Sequence, residues 1–217
     1  MAEVMRCELR SWQEVYDLAL ALAFRIRDDG FDPDLILAIG RGGYTPGRLL
    51  ADFLHKRGLA SFRIQHYTEG AHREPEARVV GTPDADVAGA RVLVADDVND
   101  TGETLEAATA FLRGRGATEV RTAVLQEKET TSCPADYVGG RVESWRWIIY
   151  PWAAIEDLTG FLREMDPRPG SVPEAARALE AAYGSRPTDQ ILEAVFRLWP
   201  DAAEAAEGDG PPERGAR

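Results

Sequence analysis

Cysteine is almost absent from this chain of 217 residues. Cys7 and Cys133 lie far apart with no thiol or histidine beside them, which argues against a disulfide framework or a zinc knot and leaves inert packing as their expected role. Long apolar runs are absent too. Nothing approaches the stretch of about 18 residues that reads as a membrane-spanning helix, and the opening MAEVMRCELR lacks the basic-then-apolar order of an export leader. A cytoplasmic protein with no membrane partner is expected. Positive charge is short, with 25 lysines and arginines against 37 aspartates and glutamates and a net charge of −12. Such a surface repels a phosphate backbone, so nucleic acid is not an expected partner. What is present, 44% hydrophobic and 29% charged residues, suffices for one domain with a sizeable core plus an appendage.

Residues 11–28, SWQEVYDLALALAFRIRD, open with Ser11 and carry Glu14 three places later, a capping-box pattern that predicts a helix ending before Gly30. DLILAIG at 34–40 is a short apolar run ending in glycine, consistent with a strand buried on both faces. Thr45 and Pro46 then offer a cap and a first-turn proline for a helix over GRLLADFLHKRG. Between 62 and 89, strand-like ends flank a polar middle holding Gly70 and Pro75, which predicts two strands joined by a long exposed loop. RVLVAD at 91–96 reads as a β-branched strand, ETLEAATAFLRGRG as a helix closed by glycine, and EVRTAVLQ at 119–126 as another strand. Strands alternating with helices imply a parallel sheet covered on both faces. After WRWIIYPW at 145–152, IEDLTGFLREMD predicts one more helix and PRPG at 167–170 signals a linker. EAARALEAAYG and PTDQILEAVFRLWP predict two alanine-rich helices, and EGDGPPERGAR at 207–217 is expected to be disordered. The expected division is a main domain over 1–165, a helical extension over 166–206 and a tail.

RVLVADDVNDTGETL, residues 91–105, gathers negative charge at a strand end. In a parallel sheet, ligands bind beyond the carboxyl ends of strands, where loops diverge and helix N-termini face the crevice. Asp96 and Asp97 fall at that end. Neighbouring carboxylates repel, so they require ligand hydroxyls, a divalent cation or a protein cation between them; solvated loop aspartates or helix caps are the plainer alternatives. Asp100, Thr101, Gly102, Glu103 and Thr104 make a small hydroxyl-rich turn just before a helix, so that amides and threonine hydroxyls converge on one region of positive potential. Each charge-assisted hydrogen bond there is worth about 1.5–3 kcal/mol. Carboxylates for hydroxyls beside amides for a phosphate describe a phosphorylated sugar. IGRGGYTPGRLLAD, 39–52, flanks Arg41 with glycines, which lets backbone amides approach an anion closely; a plain glycine turn is the alternative.

VLVADDVNDTGETL resembles the phosphoribosyl-pyrophosphate (PRPP) signature of the type I phosphoribosyltransferases, and the likeness spans about residues 10–160. The resemblance implies an α/β parallel-sheet fold with a small hood near 128–152, to which this chain adds its helical extension. It implies that Asp96 and Asp97 hold the ribose 2- and 3-hydroxyls, directly or through Mg2+, and that the 100–104 loop holds the 5-phosphate. The 39–52 segment resembles the family's pyrophosphate loop, which puts Arg41, Gly42 and Gly43 at the leaving group and a cis peptide at Arg41-Gly42. Residues 67–78 fall where the family carries a flexible loop that closes over PRPP; Tyr67, Arg73 and Arg78 are candidate pyrophosphate contacts, with a solvated hairpin as the alternative.

LQEKETTSCPADYVGGRVESWRWIIYPW is similar to the xanthine-guanine and hypoxanthine-guanine enzymes, in which a lysine donates to the purine 6-oxo group and an aromatic ring stacks on the base. Here those are Lys128 and Trp147, with the backbone near Ile148 reading the 2-substituent; a solvated lysine and core tryptophans are the alternative. Aspartate before the Thr-Gly turn also resembles the 6-oxopurine enzymes and implies that Asp100 accepts the proton of purine N7, a role compatible with capping the next helix. Arg41 and Asp100 are thus the expected catalytic residues. Ala153 departs from the acidic residue that relatives often carry after the Tyr-Pro-Trp run. The implied reaction is Mg2+-dependent transfer of 5-phosphoribosyl from PRPP to xanthine, guanine or hypoxanthine by a homo-oligomer, in purine salvage. A sensor of PRPP or nucleotides without turnover, and a transferase for a specialised heterocycle, are the competing readings.

Overall fold

The computed structural model describes residues 5–67, 76–81 and 83–199. In chain order they form β1 (Cys7–Leu9), α1 (Trp12–Asp28), β2 (Leu35–Gly40), α2 (Tyr44–Phe53), β3 (Leu59–Tyr67), β4 (Glu76–Val80), β5 (Arg91–Asn99), α3 (Glu103–Gly114), β6 (Glu119–Lys128), β7 (Tyr137–Val142), β8 (Trp147–Ile149), α4 (Ala154–Arg163), α5 (Val172–Tyr183) and α6 (Asp189–Leu198). They group into two compact units, one spanning Trp12–Trp145 and the other formed by the residues up to Ser11 together with those from Arg146. No described helix is long and apolar enough to cross a membrane.

The Trp12–Trp145 unit is a sheet in the order β4-β3-β2-β5-β6-β7. Every neighbouring pair is parallel except β3 and β4, which form an antiparallel hairpin. Its central strands are apolar on both faces because both faces are covered. Leu37 and Ile39 of β2, Val92 and Val94 of β5 and Val124 of β6 share one core with Leu105, Ala108 and Leu112 of α3. The intervening Ile36, Leu93, Ala123 and Leu125 are also buried, on the opposite side by the two-residue period of a strand, where α1 and α2 pack. Helix α1 meets that face with Val15, Ala19, Leu22, Ala23 and Ile26 at helical spacing. Helix α3 closes with Gly116 N–H on Arg113 O and Ala117 N–H on Leu112 O, the paired bonds of a Schellman end. Helix α2 departs from expectation at its start: it begins at Tyr44, with Gly43 rather than Thr45 at the cap position and no side-chain cap. The chain enters it straight from a turn closed by Gly43 N–H on Ile39 O at 2.8 Å.

In the other unit β1 and β8 pair in parallel, with Cys7 opposite Trp147 and Glu8 opposite Ile148. Leu158, Phe161 and Leu162 of α4, Ala175, Ala176 and Leu179 of α5, and Leu192 and Val195 of α6 form one core with Cys7 and Ile149. Helix α4 therefore groups with the two alanine-rich helices, and the units part at 145/146 rather than at the linker near 166. Residues 68–75 of the expected closing loop and the 207–217 tail lie outside the described residues.

Candidate active site

The chain leaves β2 toward β3 and β4 on one side and returns to β5 on the other. Two neighbouring parallel strands with connections departing in opposite directions open a crevice at their carboxyl ends, and α2 and α3 both start there. Ala38 pairs with Ala95, so the turn after Gly40 and the Asp96-Asp97 pair lie side by side. Strand β5 continues through both aspartates to Asn99. Asp96 is only 8% exposed, and its Oδ1 accepts the Asp97 N–H at 2.9 Å. Burial, reinforced by the Asp97 charge, pushes the Asp96 carboxyl well above the ordinary carboxylate range. Asp97 Oδ1 accepts the Val98 N–H at 2.7 Å. The Asp97 carboxylate lies against the 41–43 turn: a Cβ added to Gly42 would stand 2.5 Å from Asp97 Cγ. Glycine at 42 is what permits that approach. Arg41 is exposed at the tip of the turn, and the cis peptide is Gly40–Arg41, one bond earlier than the expected Arg41–Gly42, where the strand's last residue meets the turn. Among the described residues no cluster of three or more metal-binding side chains exists. Two adjacent carboxylates fit Mg2+, which is ordinarily held by one or two carboxylates together with water and substrate oxygens.

The 100–104 turn is braced from the next strand. Asn99 pairs with Glu127 across β5 and β6, which brings Asp100 beside Lys128 at the end of β6. Lys128 Nζ donates to Asp100 Oδ2 at 2.6 Å, with the lysine side chain only 4% exposed. Thr130 Oγ1 donates to Asp100 Oδ1 at 2.8 Å, and Trp145 Nε1 approaches Oδ1 at 3.2 Å and Oδ2 at 3.3 Å. The Lys128 ammonium also sits 4.4 Å from the centre of the Trp145 ring, within cation–π range. Asp100 is not the helix cap: the cap residue of α3 is Gly102, at φ 98°, with no side-chain bond. Ser132 donates its N–H (2.8 Å) and hydroxyl (2.9 Å) to Thr101 O. Glu127 is buried one layer below, its Oε2 accepting from Asn99 Nδ2 at 3.1 Å and from the Ala135 N–H at 2.7 Å.

A family model described as the phosphoribosyl transferase domain matches residues 6–153. The chain belongs to this family. A xanthine-guanine phosphoribosyltransferase of Ruegeria sp. is 30% identical over 162 residues, covering 65% of this chain and 82% of the relative. The hypoxanthine-guanine phosphoribosyltransferase of Saccharomyces cerevisiae is 26% identical over 190 residues, covering 67% of this chain and 85% of that one. The crystal structure of a purine phosphoribosyltransferase from Pyrococcus horikoshii has a TM-score of 0.60 at 32% identity and covers 68% of this chain and 94% of its own. The family match ends just before α4.

In this phosphoribosyltransferase the first unit brings together Asp96, Asp97, Gly42, Asp100 and Lys128. Gly43 is buried, Thr101 is exposed, and Glu103 and Thr104 are half-buried in the first turn of α3. Trp147 and Ile148 stand on β8, in the other unit. There the Trp147 ring packs edge-on to Phe161, with centroids 6.5 Å apart, and its indole nitrogen has no hydrogen-bond partner among the described residues; Ile148 is buried. Sequence reasoning missed Thr130, Ser132 and Trp145. A signal existed for the first two: Thr-Thr-Ser begins two residues after a strand-end lysine, past Glu129, and a parallel neighbour delivers that segment to the 100–102 turn.

Proposed function

We propose that this phosphoribosyltransferase moves the 5-phosphoribosyl group of PRPP onto a 6-oxopurine, releasing pyrophosphate, as a purine-salvage enzyme. The observation that carries the reading is Lys128 beside Asp100 at 2.6 Å. A 6-oxopurine presents a carbonyl acceptor at position 6 and a proton-bearing N7 next to it, and an ammonium donor beside a carboxylate acceptor complements that edge. Adenine turns a 6-amino donor toward the same ammonium. Two opposed donors cannot bond each other, and the 6-amino group finds no acceptor at a withdrawn lysine, so discrimination of at least about 100-fold against adenine follows. The purine names of the similar proteins support the same substrate class.

In this reading Asp96 and Asp97 take the ribose hydroxyls. The amides and hydroxyls of 101–104 take the 5-phosphate at the start of α3, and Arg41 with the amide of Gly42 takes pyrophosphate; the Gly43 amide expected beside them is spent inside the turn on Ile39 O. Mg2+, held by Asp96, Asp97 and substrate oxygens, would supply charge neutralisation at the leaving group. Asp100 accepts the N7 proton as the new bond forms, Lys128 orients the 6-oxo group, and Trp147 and the Ile148 backbone are base contacts. Positioning and stabilisation of developing charge supply the rest. A cytoplasmic homo-oligomer is part of the same proposal.

The test is pyrophosphate release from PRPP and Mg2+ with xanthine, guanine, hypoxanthine, adenine, uracil and orotate in turn. Release with at least one of the three 6-oxopurines, and a kcat/KM for adenine lower by about 100-fold or more, is expected. Tight PRPP binding with no release for any base would replace the enzyme reading with a sensor.

A further inference from the structure

We propose that Trp145 is a positioning residue of the base site, holding Lys128 against Asp100 with the edge and the face of one indole. The inference rests on the reading of Lys128 and Asp100 as base contacts. Trp145 is 43% exposed, in a polar segment between Glu143 and Arg146, so burial of its ring does not account for its placement. Its two contacts do. The indole N–H is shared between both oxygens of Asp100 at 3.2 and 3.3 Å, and the ring face lies 4.4 Å from the Lys128 ammonium. Among side chains, tryptophan joins a lone N–H donor to the most favourable face for a cation.

The two partners differ in how firmly they are otherwise held. Asp100 is anchored without Trp145, because the one hydroxyl hydrogen of Thr130 is directed at Asp100 itself, with Oδ1 at 2.8 Å and the backbone carbonyl at 3.0 Å from Thr130 Oγ1. Lys128 ends a flexible four-carbon stem, and a single ion pair leaves an ammonium free to pivot around the carboxylate. The ring fixes the remaining direction. It also covers a cation already withdrawn from water, where uncompensated burial is costly. Reading two adjacent atoms of one purine edge needs both groups at a fixed separation, so Trp145 acts on the base and not on the sugar phosphate.

Steady-state kinetics of Trp145→Ala, Trp145→Phe and Lys128→Met test this. Trp145→Ala is expected to lower kcat/KM for the preferred 6-oxopurine by about tenfold, the effect of losing one charge-assisted contact and one cation–π contact at a partly exposed site, while the KM for PRPP moves less than about twofold. Trp145→Phe keeps the face without the donor and should recover part of the loss, to about threefold below the native value. Unchanged base kinetics in Trp145→Ala, or a PRPP KM that rises in step with the base KM, would overturn the inference. Lys128→Met separates the two levels. If it uses 6-oxopurines as well as the native enzyme does, the base reading itself fails; if it is impaired while Trp145→Ala is not, the positioning role alone fails.

Discussion

Asp96 is a carboxyl drawn out of water beside a second carboxyl. Its raised native pKa means that the folded protein holds this proton more tightly than the unfolded chain does. The sign of the linkage follows: the contribution to stability is fully present below the unfolded value near 3.9 and is lost as pH rises toward the native value. Asp96→Asn removes the ionisation. Without ligand or divalent cation, the variant should therefore melt higher than the native protein at pH 7, by about 2–4 °C for each kcal/mol relieved, with the gap closing toward pH 4. A lower melting temperature at pH 7 would show that Asp96 is held by favourable contacts instead. The aspartate pair, Asp100 and the Thr-Gly turn were legible in the sequence because they are contiguous and their chemistry is local. Thr130 and Trp145 were not, since they reach Asp100 only through the pairing of β5 with β6 and the return of the chain after β7.

At the scale of elements, the 100–102 turn is clamped between the end of β5 and the segment after β6. A Cβ on Gly102 would meet Cys133 N at 2.6 Å and Thr131 Oγ1 at 2.8 Å, at a φ of 98° that side chains rarely adopt. Gly102→Ala should cost about 1–3 kcal/mol of stability, visible in a thermal melt, and should raise the KM for PRPP by about tenfold or more as the phosphate turn shifts off its bracing. A variant with native KM would detach this turn from phosphate binding. Strands β2, β5 and β6 and helices α1, α3, α5 and α6 were readable from periodicity and end signals. Strand β7, YVGGRV, was not, because two glycines in six residues read as a weak strand. Packing gives the reason: a Cβ on Gly139 would stand 3.1 Å from Leu18 O, so the glycine lets α1 lie close on the sheet edge. The cap of α2 was misplaced because a cap signal in the side chains, Thr45 before Pro46, was overridden by the backbone turn at Gly43.

For the whole molecule, alternation of strands and helices correctly indicated a mostly parallel sheet covered on both faces. The partition of the chain was less legible. The periodicity of 154–163 announces an apolar face without naming the core that receives it, and in the structure that face joins α5, α6 and Cys7. Burial, aided by the Asp157 charge, pushes the Cys7 thiol up to about 12, in keeping with the inert role expected of it. The crevice between β2 and β5 is proposed to take the sugar, phosphate and base of one nucleotide with its acidic, amide and lysine groups. A crystal structure with guanosine 5′-monophosphate bound measures this most directly. The phosphate is expected on the 101–104 amides, the ribose hydroxyls at Asp96 and Asp97, and the 6-oxo group within hydrogen-bond reach of Lys128; a phosphate seated away from that turn, or a purine edge facing away from Lys128, would overturn the proposed function.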